Sequence, residues 1–192
     1  MDSARKTAAI NVEKLTPYVK EGFDIVAIEP TAAYALAVSY PTLLRENQDA
    51  GLLAENTHEL FEYLIKVENE TGKTSSSDIL KGKRFGFHCA CHQRPMGSGS
   101  GAMDWLRRYG AEVELIETGT CCGMGGTFGL KAGPLGHKLS SAMGEQLFTL
   151  FKNADIEAIV TESSVCSIQL AEGTDLPVYH PLELLKLIRK AI

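Results

Sequence analysis

The residues that decide how this chain folds are Glu112-Val113-Glu114-Leu115-Ile116-Glu117 and the turn Cys121-Cys122-Gly123-Met124-Gly125-Gly126 that follows them. The first stretch predicts a β-strand, and the second places two adjacent cysteines at the start of a glycine-rich turn. Neighbouring cysteines rarely bridge each other, because a disulfide needs a different separation of the two Cα atoms. They do suit a metal centre, where adjacent thiolates reach one or two metal ions.

The same arrangement of a strand followed by cysteine occurs twice more. Residues 84–89 predict a strand that leads to Cys91, and residues 156–161 predict one that leads to Cys166. Strands that alternate with helices indicate a parallel sheet with helices on both faces. Ligands bind such sheets outside the carboxyl ends of the strands. We therefore expect the cysteines to meet at one edge of the sheet.

The remaining patterns complete a prediction of fold class α/β. Further strands are predicted at 23–28 and 176–180, and helices at 7–22, 31–44, 54–70, 102–109, 134–152 and from Pro181 onward. The segment 71–77 is rich in Gly, Ser and Thr and predicts a linker. It divides the chain into a first half, residues 1–75, and a second half, residues 80–192, that carries every cysteine.

Composition excludes several classes of protein. The chain has 192 residues, of which 44% are hydrophobic and 22% charged, which is typical of a soluble globular protein. A net charge of −5 without a basic run gives nucleic acid no electrostatic footprint. No apolar stretch approaches the length of a membrane span, and the first residues lack the apolar core of a signal peptide. An odd number of five cysteines indicates free thiols in a reducing, cytoplasmic compartment.

Our hypothesis for the cysteines is an iron–sulfur centre, since such clusters are held by thiolates. The predicted ligands are Cys91, Cys121, Cys122 and Cys166, with Cys89 as an additional candidate. Zinc is the second metal considered, because four thiolates also satisfy a tetrahedral ion. A third hypothesis is a thiol enzyme with Cys121 or Cys122 as the nucleophile, activated by a helix N-terminus. His88, at the end of a strand, is expected to be structural.

The spacing of these residues resembles the cysteine-rich CCG domain family. That family has a lone cysteine, then Cys-Cys-Gly, then a Thr-x-Cys-x-x-Cys segment. Here Cys91-His92, Cys121-Cys122-Gly123 and residues 161–166 occupy these places, and residues 180–185 resemble the closing segment of the family. Members occur as the B subunit of heterodisulfide reductase, as the C subunit of anaerobic glycerol-3-phosphate dehydrogenase, and as iron–sulfur subunits of lactate and glycolate oxidation.

The resemblance implies a three-layer architecture of two pseudo-repeated halves around a 4Fe-4S cluster. It places His92, Gly123, Ser163 and His180 around the ligands. Two positions depart from the pattern. Ser163 replaces the first cysteine of the Cys-x-x-Cys pair, which puts a full cluster in question, and Ala32 and Ala35 stand where the first half would carry cysteines. The first half is therefore expected to act as scaffold and interface.

By the same resemblance, the chain is expected to be an oxidoreductase subunit that passes electrons from a flavoprotein dehydrogenase to a quinone or a thiol/disulfide acceptor. Association with a membrane through a partner, and assembly into an oligomer, are compatible with this function. The alternative is a zinc-binding or metal-free scaffold subunit of a larger complex.

Overall fold

The computed structural model describes residues 1–73, 76–119 and 121–184. Its main element is a four-stranded, fully parallel sheet with the strand order β4-β3-β5-β6. The strands are β3 (Arg84–Phe87), β4 (Glu112–Leu115), β5 (Ala158–Val160) and β6 (Val178–Tyr179). The predicted parallel α/β sheet is thus confirmed. The three strands that precede the cysteines are neighbours, with β3 between β4 and β5, so their carboxyl ends lie side by side.

Successive residues of β3 face opposite sides of the sheet, as the pleat of a strand requires. Phe85 and Phe87 belong to a first core cluster, which also contains Phe61 and Trp105. Gly86 faces the other side, where a Cβ would lie 2.8 Å from side-chain atoms of neighbouring isoleucines. This alternation continues beyond the strand, so the next two side chains also face opposite sides of the sheet.

Helices cover both faces of the sheet. On the side of the first core cluster lie α5 (Leu60–Thr71) and α6 (Ser100–Arg108), which contribute Phe61 and Trp105. On the other side lie α7 (Leu139–Asn153) and α8 (Ser164–Thr174), which contribute Leu147 and Leu170 to a second core cluster. The predicted helix at 134–152 is present as α7, preceded by a π-helical turn at Pro134–Lys138.

The first half builds a separate core around a second, two-stranded sheet. Its elements are α1 (Asp2–Lys20), β1 (Ile25–Ala27), α2 (Pro30–Tyr34), a π-helical turn (Ala35–Ser39), α3 (Tyr40–Leu43), α4 (Gln48–Glu55) and β2 (Thr57–Glu59). Strands β1 and β2 pair in parallel. Val12, Val19, Ala50 and Leu53 form the core of this half. The pseudo-repeat relation between the halves, and the boundary between them, remain predictions.

The helix patterns failed in two places. The single helix predicted at 54–70 is divided, because residues 57–59 pair with β1 and α5 begins only at Leu60. Before that break, Asn47 caps α4 by accepting the backbone N–H of Asp49 at 3.0 Å. Helix α8 was not predicted at all. The predicted linker at 71–77 and the predicted closing helix lie partly outside the described residues, the latter being helical over 181–184.

Within the described residues, no helix is both long enough and apolar enough to cross a bilayer.

Candidate metal centre

Four of the five cysteines meet at the carboxyl ends of β3, β4 and β5. The thiol of Cys122 donates to the sulfur of Cys166 at 3.2 Å. The side chain of Cys121 lies near the thiols of Cys122 and Cys91, both of which influence the pKa of the Cys121 thiol. Cys91 is exposed, Cys121 is half-buried, and Cys122 and Cys166 are buried. The thiols therefore form a continuous series from the surface to the second core cluster.

The Cys-Cys-Gly turn lies directly against the start of α7. Gly123 has φ +92°, and a Cβ on this residue would overlap the carbonyl oxygen of Ser140. One helical turn further along, a Cβ on Gly144 would press against the carbonyl oxygen of Cys122. The turn also directs a backbone donor at sulfur, because the N–H of Gly123 lies 3.4 Å from the Sγ of Cys121. Donors of this kind stabilise a thiolate.

Cys166 occupies the first turn of α8, and Ser163 is the N-cap residue of this helix. Ser163 is buried, and its backbone N–H lies 3.4 Å from the Oγ1 of Thr161. The carboxylate of Glu29, from the first half, accepts the N–H of Ser164 at 2.9 Å. The N-terminal end of a helix favours negative charge, and the carboxylate of Glu29 occupies this end of α8.

Cys89 lies on the opposite side of the sheet from this group. It follows the alternation of Phe85 and Phe87 and is part of the first core cluster. Its sulfur is 3.8 Å from the carbonyl oxygen of Ala90 and 3.9 Å from that of Ser98. Burial raises the pKa of the Cys89 thiol to about 11. The structure thus brings together the four principal candidates and leaves the additional candidate apart.

The same alternation turns His88 toward the cysteines. A ring nitrogen of His88 and the sulfurs of Cys122 and Cys166 all lie within 4.8 Å of one another. The side chain is 1% exposed, and among the described residues neither ring nitrogen has a hydrogen-bond partner. Burial, and then the charge of Arg94, lower the pKa of His88 to about 4, so the ring is neutral at pH 7. The two-residue period of β3 was the sequence signal that would have identified His88 as facing the cysteines.

The thiols of Cys91, Cys121 and Cys122 are protonated at neutral pH when they hold no metal. For Cys121, the hydrogen bond with Cys122 and then burial raise the pKa. For Cys122, the hydrogen bond with Cys121 lowers the pKa, but the bond with Cys166 and burial outweigh it and raise the pKa to about 12. Burial also raises the pKa of Cys91. A thiol nucleophile needs the opposite shift, so the arrangement favours metal binding, which displaces these protons, over the thiol-enzyme hypothesis.

The two other histidines named from the sequence contact residues outside the cysteine group. His92 stacks on Tyr34 with 4.8 Å between the ring centroids, and its Nδ1 lies 3.1 Å from the Oγ1 of Thr31. His180 lies near Phe61, with 6.2 Å between the ring centroids, and its Nδ1 accepts the N–H of Leu182 at 3.1 Å. His92 thus connects the loop after β3 to the first half.

A buried carboxyl group beside the site was not predicted. Glu162 is 3% exposed, and its Oε1 accepts a hydrogen bond of 2.8 Å from the Nε2 of Gln93, which is fully buried. Burial raises the pKa of Glu162 to about 8, although the bond from Gln93 opposes the shift. The carboxylates of Glu59, Glu62 and Glu29 raise the pKa further. Nothing in the local sequence distinguishes Glu162 from an exposed residue after a strand.

The donor set fits a centre built from thiophilic metal. Iron or zinc accepts such groups as ligands or as neighbours of ligands: four thiols at one edge of the sheet, a backbone N–H directed at sulfur, and an imidazole without a partner among the described residues. Arg94 supplies positive charge nearby, with its Nη2 at 3.3 Å from the Oε2 of Glu117. Burial raises the pKa of Cys91, and the charge of Arg94 partly opposes that shift.

Comparison with known proteins identifies relatives along most of the chain. Residues 85–171 match the CCG family, described as a cysteine-rich domain. Over 186 residues, 96% of the chain, the sequence is 31% identical to the C subunit of the anaerobic glycerol-3-phosphate dehydrogenase of Escherichia coli K12. Over 123 residues, 60% of the chain, it is 31% identical to lactate utilization protein A of Geobacillus thermodenitrificans.

The chain spans 45% of the length of the first relative and 50% of the second, so it corresponds to about half of each. The family match covers β3 to α8, which are the elements that carry Cys91, Cys121, Cys122 and Cys166. Residues 85–171 therefore form a cysteine-rich domain of the CCG family.

Proposed function

We propose that this chain is an iron–sulfur electron-transfer subunit, and that Cys91, Cys121, Cys122 and Cys166 hold its cluster. The observation that carries the proposal is the convergence of these four thiols at the ends of three adjacent strands, with the sulfurs of Cys122 and Cys166 3.2 Å apart. The relatives support it, since one is a dehydrogenase subunit and the other a lactate utilization protein. When bound, a cluster of the 4Fe-4S type would accept and release one electron at a time.

The two ends of the site differ in burial, and we expect them to differ in function. Cys122 and Cys166 are buried against Phe148 and Leu170, which keeps water from their sulfurs. Cys91 is exposed and half-buried Cys121 is beside it, so electrons enter or leave there by the shortest path to a docked protein. The natural donor is a flavoprotein dehydrogenase, and the acceptor a quinone or a thiol/disulfide couple. Any contact with a membrane would come through such a partner.

Anaerobic reconstitution with iron and sulfide tests the proposal. We expect the wild-type protein to bind both, to turn brown, and to give an EPR signal in one oxidation state. Cys122→Ser should lose most of the iron, because the Cys122 sulfur lies 3.2 Å from that of Cys166 at the buried end of the site. Cys89→Ser is the matched control, since Cys89 is also a buried cysteine but lies on the other face of the sheet. Equal iron loss in both variants, or no iron in the wild type, would refute the proposal.

The second candidate function is a scaffold subunit that binds zinc or no metal. Ser163 favours it, since the buried N-cap of α8 offers an oxygen where the family pattern has a thiol. Ala32 and Ala35 in the first half favour it as well. A colourless protein with one zinc ion per chain after anaerobic purification would support this function over electron transfer.

A further inference from the structure

His88 is a buried side chain whose polar atoms have no partner in the part of the chain that the structure describes. A neutral imidazole carries one N–H donor and one acceptor nitrogen, and buried polar atoms of this kind are nearly always paired. Leaving one unpaired is unfavourable, because the buried group has given up its hydrogen bonds to water. The neighbours of the ring do not compensate, since it meets Phe151 edge-on with 6.5 Å between the ring centroids. The ring is therefore positioned for a partner that the described protein atoms do not provide.

The position of the ring indicates the kind of partner. One of its nitrogens lies within 4.8 Å of the sulfurs of both Cys122 and Cys166, and those sulfurs are 3.2 Å apart. Two donors on one tetrahedral metal ion are separated by about 3.5–3.8 Å, given metal–nitrogen and metal–sulfur bonds of about 2.0–2.3 Å. The three atoms lie near such separations, with the two sulfurs 3.2 Å apart and the ring nitrogen within 4.8 Å of both. Imidazole and thiolate together are a common donor set for zinc and also occur on iron–sulfur centres.

The family pattern contains one cysteine more than this sequence supplies. Ser163 stands where the family pattern has a cysteine, so the segment around α8 supplies one thiolate, Cys166, instead of two. A nitrogen from His88 reaches the centre from the neighbouring strand β3, on the same face of the sheet as Cys122. The imidazole of His88 is a neutral donor in place of an anionic thiolate. The buried site therefore holds less negative charge.

We propose that His88 is a direct ligand of the metal centre that Cys122 and Cys166 hold, in place of the thiolate that is absent at Ser163. This assignment rests on the proposed metal-binding function of the same cysteines, and it adds a donor outside the cysteine pattern. The ligand is imidazole, and it is a fifth donor beside Cys91, Cys121, Cys122 and Cys166, which equals the number of cysteines in the family pattern.

Pulsed EPR on protein grown with 15N-labelled histidine tests the assignment. The wild-type protein is loaded anaerobically with iron and sulfide, or with Co²⁺ alone as a paramagnetic substitute for zinc. We expect a nitrogen hyperfine coupling that changes with the isotope, that is lost in His88→Ala, and that persists in the control His92→Ala. Cobalt should bind at least about tenfold more weakly to His88→Ala than to the control, because one donor is lost.

One further variant adds a readout of reduction potential. His88→Cys should retain metal and shift the reduction potential of an iron centre downward, because thiolate donates more charge than imidazole. The isotope comparison in the wild type needs no variant, so misfolding of His88→Ala does not affect it. A wild type that binds iron or cobalt without a histidine coupling overturns this assignment alone. A wild type that binds neither overturns the assignment together with the proposed function.

Discussion

The buried carboxyl of Glu162 gives folding stability a pH dependence that one substitution should remove. Its pKa is about 8 in the folded protein, against 4.5 for an ordinary glutamate, mainly because the side chain is buried. Between these values the folded state keeps a proton that the unfolded state has released. The contribution of Glu162 to the free energy of unfolding therefore falls as the pH rises from about 4.5 to about 8. Above that range it no longer changes.

The size of the effect follows from the shift. One pKa unit corresponds to about 1.4 kcal/mol, so Glu162 should lower the free energy of unfolding by about 3 kcal/mol between pH 5 and pH 8. Glu162→Gln does not titrate, and its side-chain oxygen still accepts the hydrogen bond that Gln93 donates at 2.8 Å. We expect the variant to lack this decrease, and to be more stable than the wild type at pH 8.

Urea unfolding of the metal-free protein, followed by circular dichroism under anaerobic reducing conditions, measures this difference. The free energy of unfolding is determined at pH 5, 6, 7 and 8 for the wild type, for Glu162→Gln and for the surface control Glu145→Gln. The control lies on an exposed position of α7 and should behave like the wild type. If the wild type and Glu162→Gln change with pH in parallel, Glu162 is ionised in the folded protein and the reasoning is wrong.

Two further predictions concern the cysteine turn and the start of α8. Gly123→Ala should lower the free energy of unfolding by more than about 2 kcal/mol, because left-handed backbone alone costs about 1–2 kcal/mol and the new methyl group overlaps α7. Gly126→Ala, at φ +66° but with open space around it, should cost only the backbone contribution in the same denaturation assay. Ser163→Cys should raise the iron bound per chain on reconstitution, since it supplies the missing thiolate, and unchanged iron would show that the position does not reach the centre.

The sequence was sufficient to place the main cysteines, because their position depends on a local rule. Cys91, Cys121 and Cys166 each follow a short apolar strand, and parallel strands end at one edge of a sheet. The placement of Cys89 and His88 on opposite sides of the sheet also follows a local rule, the two-residue period of a strand, although the cysteine pattern alone drew no attention to His88. Local patterning thus predicted the edge of the sheet at which the cysteines meet.

Other features depend on contacts between distant residues. Residues 57–59 lie in a stretch whose sequence pattern predicts a helix. They form a strand because they pair with β1. Helix α8 was missed because it buries polar residues such as Gln169 and Thr174 on the side that an amphipathic helix would keep apolar. The raised pKa of Glu162 likewise comes from burial against the first half, which no local pattern reveals.

The central claim is that thiols from three adjacent strand ends hold one metal centre. X-ray absorption at the metal edge of anaerobically prepared wild-type protein tests it most directly, because the method identifies the bound metal and its donor atoms together. The account predicts a shell dominated by sulfur at about 2.3 Å, which decreases in Cys122→Ser and is unchanged in Cys89→Ser. A shell of oxygen and nitrogen alone, or one that responds equally to both substitutions, would contradict it.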